Sequence, residues 1–347
     1  MCTVIYKNIE IHNAVAFDAD KSGATWYRFP KNVCNALELD KERKVCTNST
    51  GVELRFKILG ESAAIKMECT DSKDAGVVSC FHIFRGGIQG GWQDVELNCY
   101  VPPKPHLFEI KNAENMDTLK KTAEKINSPW SPEVVRMIFD RGHYRIIDVI
   151  GDVEAPSAKD VPKDTLLCYG SSITHGSNAL DQSHTWASIL ADNIKMDCRN
   201  LGMAGTCAME PEAIDYIAGE GECGKWSAAT LELGINVLNW DESKIYSRAK
   251  YTVETIAKRN KDKPIFVISP LYCADEIDPK HRADIWRKQL KIITDELNLP
   301  NVTMINGLEL LGDVSLLSAD MVHPNIYGVQ QIADRLTNIV KRTLTKI

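Results

Sequence analysis

Four short polar stretches in the second half of the chain carry residue types that can perform acyl transfer. The first is Gly170-Ser171-Ser172, which supplies hydroxyl groups, and the last is Asp320-Met321-Val322-His323, which supplies a carboxylate and an imidazole. Between them lie 200–205, a loop with two glycines, and Gly234-Ile235-Asn236, which ends in an amide side chain. A hydroxyl nucleophile, a base, a group that orients the base and donors for an oxyanion are the parts that acyl transfer needs.

The Asp-x-x-His spacing suggests a role for each of its two side chains. On a loop both can face one direction, with Asp320 on Nδ1 of His323 and Nε2 turned toward a serine. The chain has seven other histidines, but only His323 has an aspartate three residues earlier and a proline after it. From the residues alone, either Ser171 or Ser172 could be the nucleophile. We place the nearby His175 at the rim of the pocket, since a side chain so close along the same turn points into the following loop.

The hydrophobic pattern beyond residue 164 explains how these stretches can meet. Apolar runs alternate with helical patterns, which is typical of a parallel sheet covered by helices on both faces. One helix is predicted around Trp186, one with Asp278 as N-cap, and one from Val329 to Val340. The predicted strands are Thr165–Tyr169, Met196–Leu201, Ala229–Leu233, Pro264–Ser269 and Val302–Ile305. Since ligands bind at the carboxyl ends of such strands, we expect the polar stretches to meet at one edge of the sheet.

Up to about residue 150 the hydrophobic period is two. Apolar residues alternate with polar ones over 53–58, 63–69 and 95–101, and Gly, Pro, Asn or Asp bound each run. This pattern predicts antiparallel strands with one solvated face, arranged as a β-sandwich. The glycine-rich loop 85–92 does not fit G-x-G-x-x-G, so we predict a hairpin turn there rather than a phosphate loop.

The polar segment 151–164 contains two prolines and is predicted to be a linker. The predicted domains are therefore a β-sandwich over 1–150, the linker over 151–164, and an α/β domain over 165–347.

In chain order, the four polar stretches resemble the four signature blocks of the SGNH hydrolases, also called GDSL-type esterases. The resemblance runs from Thr165 to the end, about half of the chain; any one block is weak, but four in order are specific. Without the resemblance, Gly202 could be a turn glycine and Asn236 a helix N-cap. The resemblance implies Ser172 as nucleophile, His323 as base, Asp320 as its orienting carboxylate, and an oxyanion hole made of the N–H groups of Ser172 and Gly202 with the amide of Asn236.

Two positions depart from the usual blocks. Ser171 replaces the aspartate of G-D-S-L, and Val237 follows Asn236 where many members carry aspartate. The form G-S-S-I-T-x-G is common among carbohydrate-directed members, which often have an N-terminal β-sandwich. The resemblance thus implies a two-domain bacterial acylhydrolase or carbohydrate esterase. In such a protein a jelly-roll-like antiparallel domain precedes a three-layer α/β/α domain, which hydrolyses a small acyl ester, with acetyl on a sugar as the expected substrate, and uses no metal or other cofactor.

Charge and composition restrict the partners. The net charge of −6 without a basic stretch argues against nucleic acid, and no apolar run reaches the about 18 residues of a membrane span. The N-terminus lacks the pattern of a signal peptide, which predicts a cytoplasmic protein. Eleven scattered cysteines favour a reducing compartment, and we find no CxxC motif or Cys/His cluster that would predict zinc. The expected partner is a small acylated substrate, and the oligomeric state stays open.

Two alternatives remain at this point. One keeps the superfamily but changes the substrate to a thioester or a lysophospholipid. The other is a carbohydrate-binding protein in which the β-sandwich binds the carbohydrate and the hydrolase-like domain is catalytically inert.

Overall fold

The computed structural model describes residues 4–37, 40–70, 79–91, 94 and 99–345. These residues form two compact units. The first unit takes its described residues from 1–31, 46–163 and 195–197, and the second from 32–45, 164–194 and 198–347. Residues 32–45 therefore belong with the second half of the chain, although the sequence pattern grouped them with the first. The predicted boundaries at 150 and 165 stay a prediction.

The first unit contains two antiparallel sheets. One has the strand order β1-β2-β5-β10-β7-β8 with β12 beside β5, and the other has the order β3-β4-β11-β6-β9. In chain order the strands are β1 (Ile5–Tyr6), β2 (Ile9–His12), β3 (Ala16–Asp20), β4 (Gly23–Tyr27), β5 (Glu53–Ile58), β6 (Ser62–Cys69), β7 (Phe81–Arg85), β8 (Ile88–Gln89), β9 (His106–Lys111), β10 (Val134–Phe139), β11 (Tyr144–Ile150) and β12 (Val153–Glu154). Side chains from both sheets, among them Leu54 and Ile65, form one buried core. The predicted β-sandwich is confirmed.

The predicted solvated face is wrong for β5. Glu53 and Arg55 are buried, like the apolar Leu54 and Phe56 that alternate with them. Arg55 donates from Nε to the Glu53 carboxylate at 2.7 Å, and Arg136 donates from Nη2 to the same carboxylate at 2.6 Å. The ring of Trp130 lies 4.0 Å from the Arg136 guanidinium carbon. Charges can be buried here because they are paired and hydrogen-bonded.

Three further predictions concern the loops of this unit. Gly86 and Gly87 form the turn between β7 and β8, so the glycine-rich loop is a hairpin. Of the strand predicted over 95–101, residues 95–98 lie outside the described residues, and Tyr100 forms an isolated bridge with Cys80. The predicted linker contains β12, which pairs with β5.

The second unit contains a five-stranded sheet with the order β14-β13-β15-β16-β17. Its strands are β13 (Thr165–Gly170), β14 (Asp197–Gly202), β15 (Ala228–Glu232), β16 (Ile265–Ile268) and β17 (Val302–Ile305). β13, β15, β16 and β17 pair in parallel. All five predicted strands are present, with bounds within two residues of those expected.

Helices cover this sheet. α5 packs on α10, and α6, α7 and α8 pack side by side, which gives the predicted three-layer α/β/α arrangement. In chain order the helices are α1 (Lys31–Ala36), α2 (Asp40–Cys46), α3 (Met116–Lys125), α4 (Ser172–His175), α5 (Trp186–Asn193), α6 (Pro211–Glu222), α7 (Glu242–Arg259), α8 (Arg282–Leu297), α9 (Gly307–Leu310) and α10 (Ile326–Leu344). α3 lies in the first unit, and α1 and α2 lie in the second apart from their outermost residues. No helix within the described ranges is both long and apolar enough to cross a bilayer.

The prediction that Asp278 caps a helix is wrong. α8 begins four residues later, with His281 at the N-cap. Asp278 Oδ1 instead accepts the N–H of Lys280 at 2.9 Å, and Asp275 Oδ2 accepts the N–H of Ala283 in the first turn of α8 at 2.6 Å. A carboxylate from an upstream turn therefore satisfies a donor in the first turn of α8, whereas the donor that Asp278 engages lies before the helix.

Candidate active site

The first predicted block forms a tight turn from strand to helix. β13 ends at Gly170, and Ser171 caps α4 by accepting the N–H of Ile173 on Oγ at 3.1 Å. Gly170 has to lack a side chain, because a β-carbon there would lie 2.3 Å from Thr174 Oγ1. Ser172 is the first residue of α4 and lines a pocket at this edge of the sheet.

The last predicted block brings His323 to the same place. Asp320 accepts the N–H groups of Val322 and His323 on Oδ1 at 3.0 and 2.9 Å, which closes the loop before α10. The imidazole lies between the two other predicted catalytic groups. Its Nδ1 is 2.8 Å from Asp320 Oδ2, and its Nε2 is 2.7 Å from Ser172 Oγ. The structure thus brings Ser172, His323 and Asp320 together in the arrangement that a serine nucleophile requires.

The environment of Asp320 keeps its carboxylate ionised. Desolvation raises the pKa, but hydrogen bonds from the backbone of His323 and Val322 and from the His323 ring outweigh it and lower the pKa to about 2. Asn178, which sequence reasoning missed, donates from Nδ2 to Asp320 Oδ2 at 2.8 Å. The imidazole therefore faces an anion throughout the neutral pH range.

Asn236 lies in a short 3₁₀ turn after β15 and lines the pocket. Its Oδ1 accepts the N–H of Cys207 at 3.0 Å. Within the described ranges its Nδ2 makes no hydrogen bond, so this amide can donate to a bound group. Asn236 is not the N-cap of α7, because Asp241 occupies that position.

Gly202 does not reach the pocket. Its N–H donates to Asn200 Oδ1 at 2.9 Å, and a β-carbon on it would lie 2.3 Å from the backbone nitrogen of His175. This glycine allows β14 to pack against α4. The pocket wall is instead formed by Ala204 and Gly205, and Gly205 has a φ of +68°. Sequence reasoning missed Gly205, although it is the second glycine of the same loop.

The pocket has a volume of about 600 Å³. It is lined by Lys41, Ser172, Ser177, Ala204, Gly205, Ile235, Asn236, Leu238, Cys273, Ala274, Asp275, Asp278, Asp320, Val322 and His323. His175 is buried and is not part of this lining, so its predicted place at the rim is wrong. Lys41 is the unexpected member, since it comes from α2 in the first half of the sequence and no motif there predicted it. A β-carbon on Gly205 would lie 2.7 Å from Lys41 Nζ.

The second unit also contains a pair of buried carboxyl groups. Glu42 and Glu210 are 3% and 5% exposed. Burial and a hydrogen bond to Glu42 raise the pKa of Glu210 to about 8, and the positive charge of Arg248 offsets only part of this effect. Glu210 therefore carries a proton at neutral pH, which it can donate to Glu42.

One group of potential metal ligands occurs among the described residues, and none of its members lines the pocket. Donor atoms of Cys80, His82 and Asp140 lie within 4.8 Å of one another, which corrects the expectation that the chain has no Cys/His cluster. Cys80 Sγ is 2.6 Å from Asp140 Oδ2 and 3.9 Å from His82 Nε2. Two donors on one tetrahedral zinc ion lie about 3.5 Å apart. The short distance fits a thiol that donates a hydrogen bond to a carboxylate, and the absence of a metal cofactor stays a prediction.

With this geometry in place, comparison with known proteins identifies the family. The model of the GDSL-like lipase/acylhydrolase family matches residues 163–341, which is more than half of the chain. The chain belongs to this family, as the four blocks predicted. No functionally curated protein matches the sequence.

Solved structures share the fold over nearly the whole chain. A salicylyl-acyltransferase from a tetracycline biosynthetic pathway has a TM-score of 0.79 at 15% identity, covering 98% of this chain and 96% of that one. A candidate GDSL-like lipase from Bacteroides ovatus has a TM-score of 0.70 at 17% identity, covering 97% and 98%. A family two carbohydrate esterase from Clostridium thermocellum, in complex with cellohexaose, has a TM-score of 0.63 at 15% identity, covering 97% and 100%. These similarities establish a fold in which a β-rich N-terminal part precedes the acylhydrolase domain.

Proposed function

We propose that this acylhydrolase is a serine esterase that removes a short acyl group, acetyl in the first place, from a carbohydrate. The observation that carries the proposal is the hydrogen-bonded series from Ser172 through His323 to Asp320, with distances of 2.7 and 2.8 Å. Such a series activates a hydroxyl group that would otherwise be a weak nucleophile.

In the first half-reaction Ser172 Oγ attacks the ester carbonyl carbon while His323 Nε2 accepts the hydroxyl proton. Asp320 holds the imidazole in the correct tautomer and stabilises its positive charge. The imidazolium then protonates the leaving alcohol, and the acyl group remains on Ser172. In the second half-reaction water attacks this ester as His323 takes its proton. Return of that proton to Ser172 Oγ releases the acid.

The oxyanion of each tetrahedral intermediate needs donors that are already in place. We assign this role to the N–H of Ser172, the Nδ2 of Asn236 and the N–H of Gly205. Gly205 takes the place that the resemblance gave to Gly202, because the Gly202 N–H is engaged by Asn200. Within the described part of the chain the Gly205 N–H has no hydrogen-bond partner.

Two observations support a short acyl group on a sugar. The pocket volume of about 600 Å³ is in the usual range for small ligands, about 300–1,000 Å³. Lys41, Asp275 and Asp278 line the pocket together with apolar side chains, so donors and acceptors are available for hydroxyl groups. The structural similarity to a carbohydrate esterase that was solved with cellohexaose is consistent with this substrate class.

The test combines labelling with turnover. Wild-type protein should hydrolyse p-nitrophenyl acetate and react once with a fluorophosphonate at Ser172, and Ser172→Ala should do neither while keeping the same melting temperature. The variant Ser177→Ala, which alters another serine of the pocket, is the matched control and should still be labelled. Absence of labelling in the wild type would favour the alternative of an inert domain that only binds carbohydrate.

A substrate series then separates the remaining alternatives. Acetylated oligosaccharides should be deacetylated faster than long-chain acyl esters, thioesters or lysophospholipids of equal concentration. Preference for a long acyl chain or a thioester would transfer the proposal to those substrates. We also propose a reducing, cytoplasmic location, because eleven cysteines scattered along the chain suit such a compartment.

A further inference from the structure

The start of α4 presents a series of backbone donors around the proposed nucleophile. The first N–H groups of a helix have no partner within the helix. Here the N–H of Ile173 donates to Ser171 Oγ at 3.1 Å, and that of His175 donates to the carbonyl of Ser171 at 2.9 Å. The N–H of Thr174 interacts with the carboxyl group of Glu232. Each of these donors is therefore already engaged.

Glu232 is the acceptor on which this turn converges. It is the last residue of β15, beside β13, and is 1% exposed. Its Oε2 accepts the N–H of Ser171 at 2.8 Å, the hydroxyl of Ser171 at 2.6 Å and the hydroxyl of Thr174 at 3.0 Å. A β-carbon on Gly170 would lie 2.8 Å from the same oxygen. One carboxyl oxygen thus fixes the turn from both ends.

The backbone N–H of Ser172 is the exception in this series of engaged donors. Of the five consecutive N–H groups from Ser171 to His175, only that of Ser172 has no acceptor within the described residues. This is the N–H that an oxyanion would need, on the residue that supplies the attacking hydroxyl group. Free donors on either side would compete with it for the substrate carbonyl or allow the turn to shift.

We propose that Glu232 is a positioning residue, which, together with Ser171, engages the neighbouring donors and so reserves the Ser172 N–H for the oxyanion. The proposal rests on the proposed function, because it assumes that Ser172 is the nucleophile. Glu232 does not line the pocket and acts only through the geometry of the turn.

The carboxyl group serves this purpose as an acceptor, not as a charge. Burial raises the pKa of Glu232, and the hydrogen bonds from Ser171 and Thr174 lower it by less. Burial therefore shifts the equilibrium toward the neutral form, which reduces the negative charge close to the developing oxyanion. A glutamine can place its carbonyl oxygen where Oε2 lies, whereas an alanine removes the acceptor.

The experiment compares Glu232→Ala and Glu232→Gln on the full chain. A fluorophosphonate titration first counts the competent sites, and kcat and KM for p-nitrophenyl acetate are then expressed per titrated site. We expect Glu232→Ala to lower kcat by about 10- to 100-fold, below the effect of losing an oxyanion donor outright, with KM changed less than about twofold. Glu232→Gln should restore kcat to within about threefold of the wild type.

Thr230→Ala is the matched control for simple destabilisation. Thr230 lies two residues earlier on β15 and is fully buried, and its hydroxyl has no partner among the described residues. Because it deletes a buried methyl group, this variant should lower the melting temperature but leave kcat per titrated site unchanged. If Glu232→Ala does not fold, Ser171→Ala takes its place, since it frees the N–H of Ile173 and should lower kcat in the same way.

The outcomes are separable. A wild-type kcat per titrated site in the alanine variant, or a glutamine variant as slow as the alanine variant, overturns the proposal for Glu232. A wild-type protein that neither reacts with the fluorophosphonate nor hydrolyses the ester refutes the proposed function instead.

Discussion

The buried pair of Glu42 and Glu210 should give the protein an unusual dependence of stability on pH. Burial and the hydrogen bond to Glu42 raise the pKa of Glu210 from 4.5 to about 8. Between these two values the folded chain keeps a proton that the unfolded chain releases. The free energy of unfolding therefore falls by about 1.4 kcal/mol for each pH unit as pH rises through this interval. The loss is complete once the pH exceeds the raised pKa of Glu210.

The perturbation that isolates this effect is Glu210→Gln, which keeps the shape of the side chain and is neutral at every pH. Urea unfolding should be measured for both proteins at intervals from pH 5 to pH 9. Titrating groups that are distant from Glu210 cancel in the difference between the two curves. We expect similar stabilities near pH 5 and a variant that becomes progressively more stable than the wild type up to pH 9.

Glu212→Gln supplies the control, because Glu212 is exposed in the first turn of α6, two residues away. Its stability should follow that of the wild type at every pH. If the curves of Glu210→Gln and the wild type stay parallel from pH 5 to pH 9, Glu210 does not hold a proton in the folded chain and the reasoning fails.

Three further predictions concern two pocket residues and the glycine that packs against α4. Asp320→Asn should lower kcat by about 10² to 10⁴, since the imidazole loses its anion and its preferred tautomer; an unchanged steady-state rate would show that another group orients His323. Asn236→Ala should lower kcat by about 10² or more with little change in KM, and an effect on KM alone would assign the amide to substrate binding. Gly202→Ala should lower the melting temperature, because its β-carbon would lie 2.3 Å from the backbone nitrogen of His175; a wild-type thermal unfolding curve would contradict this close approach.

Much of the second unit could be predicted from the sequence because local and global signals agree there. Buried parallel strands appear as short apolar runs, and polar residues that follow them must lie at one edge of the sheet. This reasoning is enough to expect Ser172, Asn236 and His323 in one place.

The oxyanion glycine shows where such reasoning stops. The loop after β14 offers both Gly202 and Gly205, and a glycine at either position is compatible with a turn. The choice depends on the side chain of Asn200, which engages the N–H of Gly202, and on the path of the next three residues. Neither is expressed in the spacing of a motif.

The burial of charged residues in β5 could not be predicted from the sequence either. The alternation in β5 predicts that Glu53 and Arg55 face water, and the sequence contains no local sign that Arg136 and Trp130 cover them. Arg136 lies 83 residues after Glu53 in the sequence, and the pairing of β5 with β10 places its strand position opposite Arg55. The position of Lys41 in the pocket wall could not be predicted for a similar reason, because Lys41 belongs to a segment distant in sequence from every catalytic block.

The assignment of residues 32–45 to the second unit has a consequence for the evolution of this protein. The family match begins at residue 163, so a gene fragment that started there would encode every member of the proposed triad. The product would nevertheless lack Lys41 in its pocket wall and the acceptor for the Glu210 proton. Exchange of N-terminal parts between relatives would therefore alter the proposed active site as well. We expect the two halves of the gene to be inherited together rather than exchanged separately.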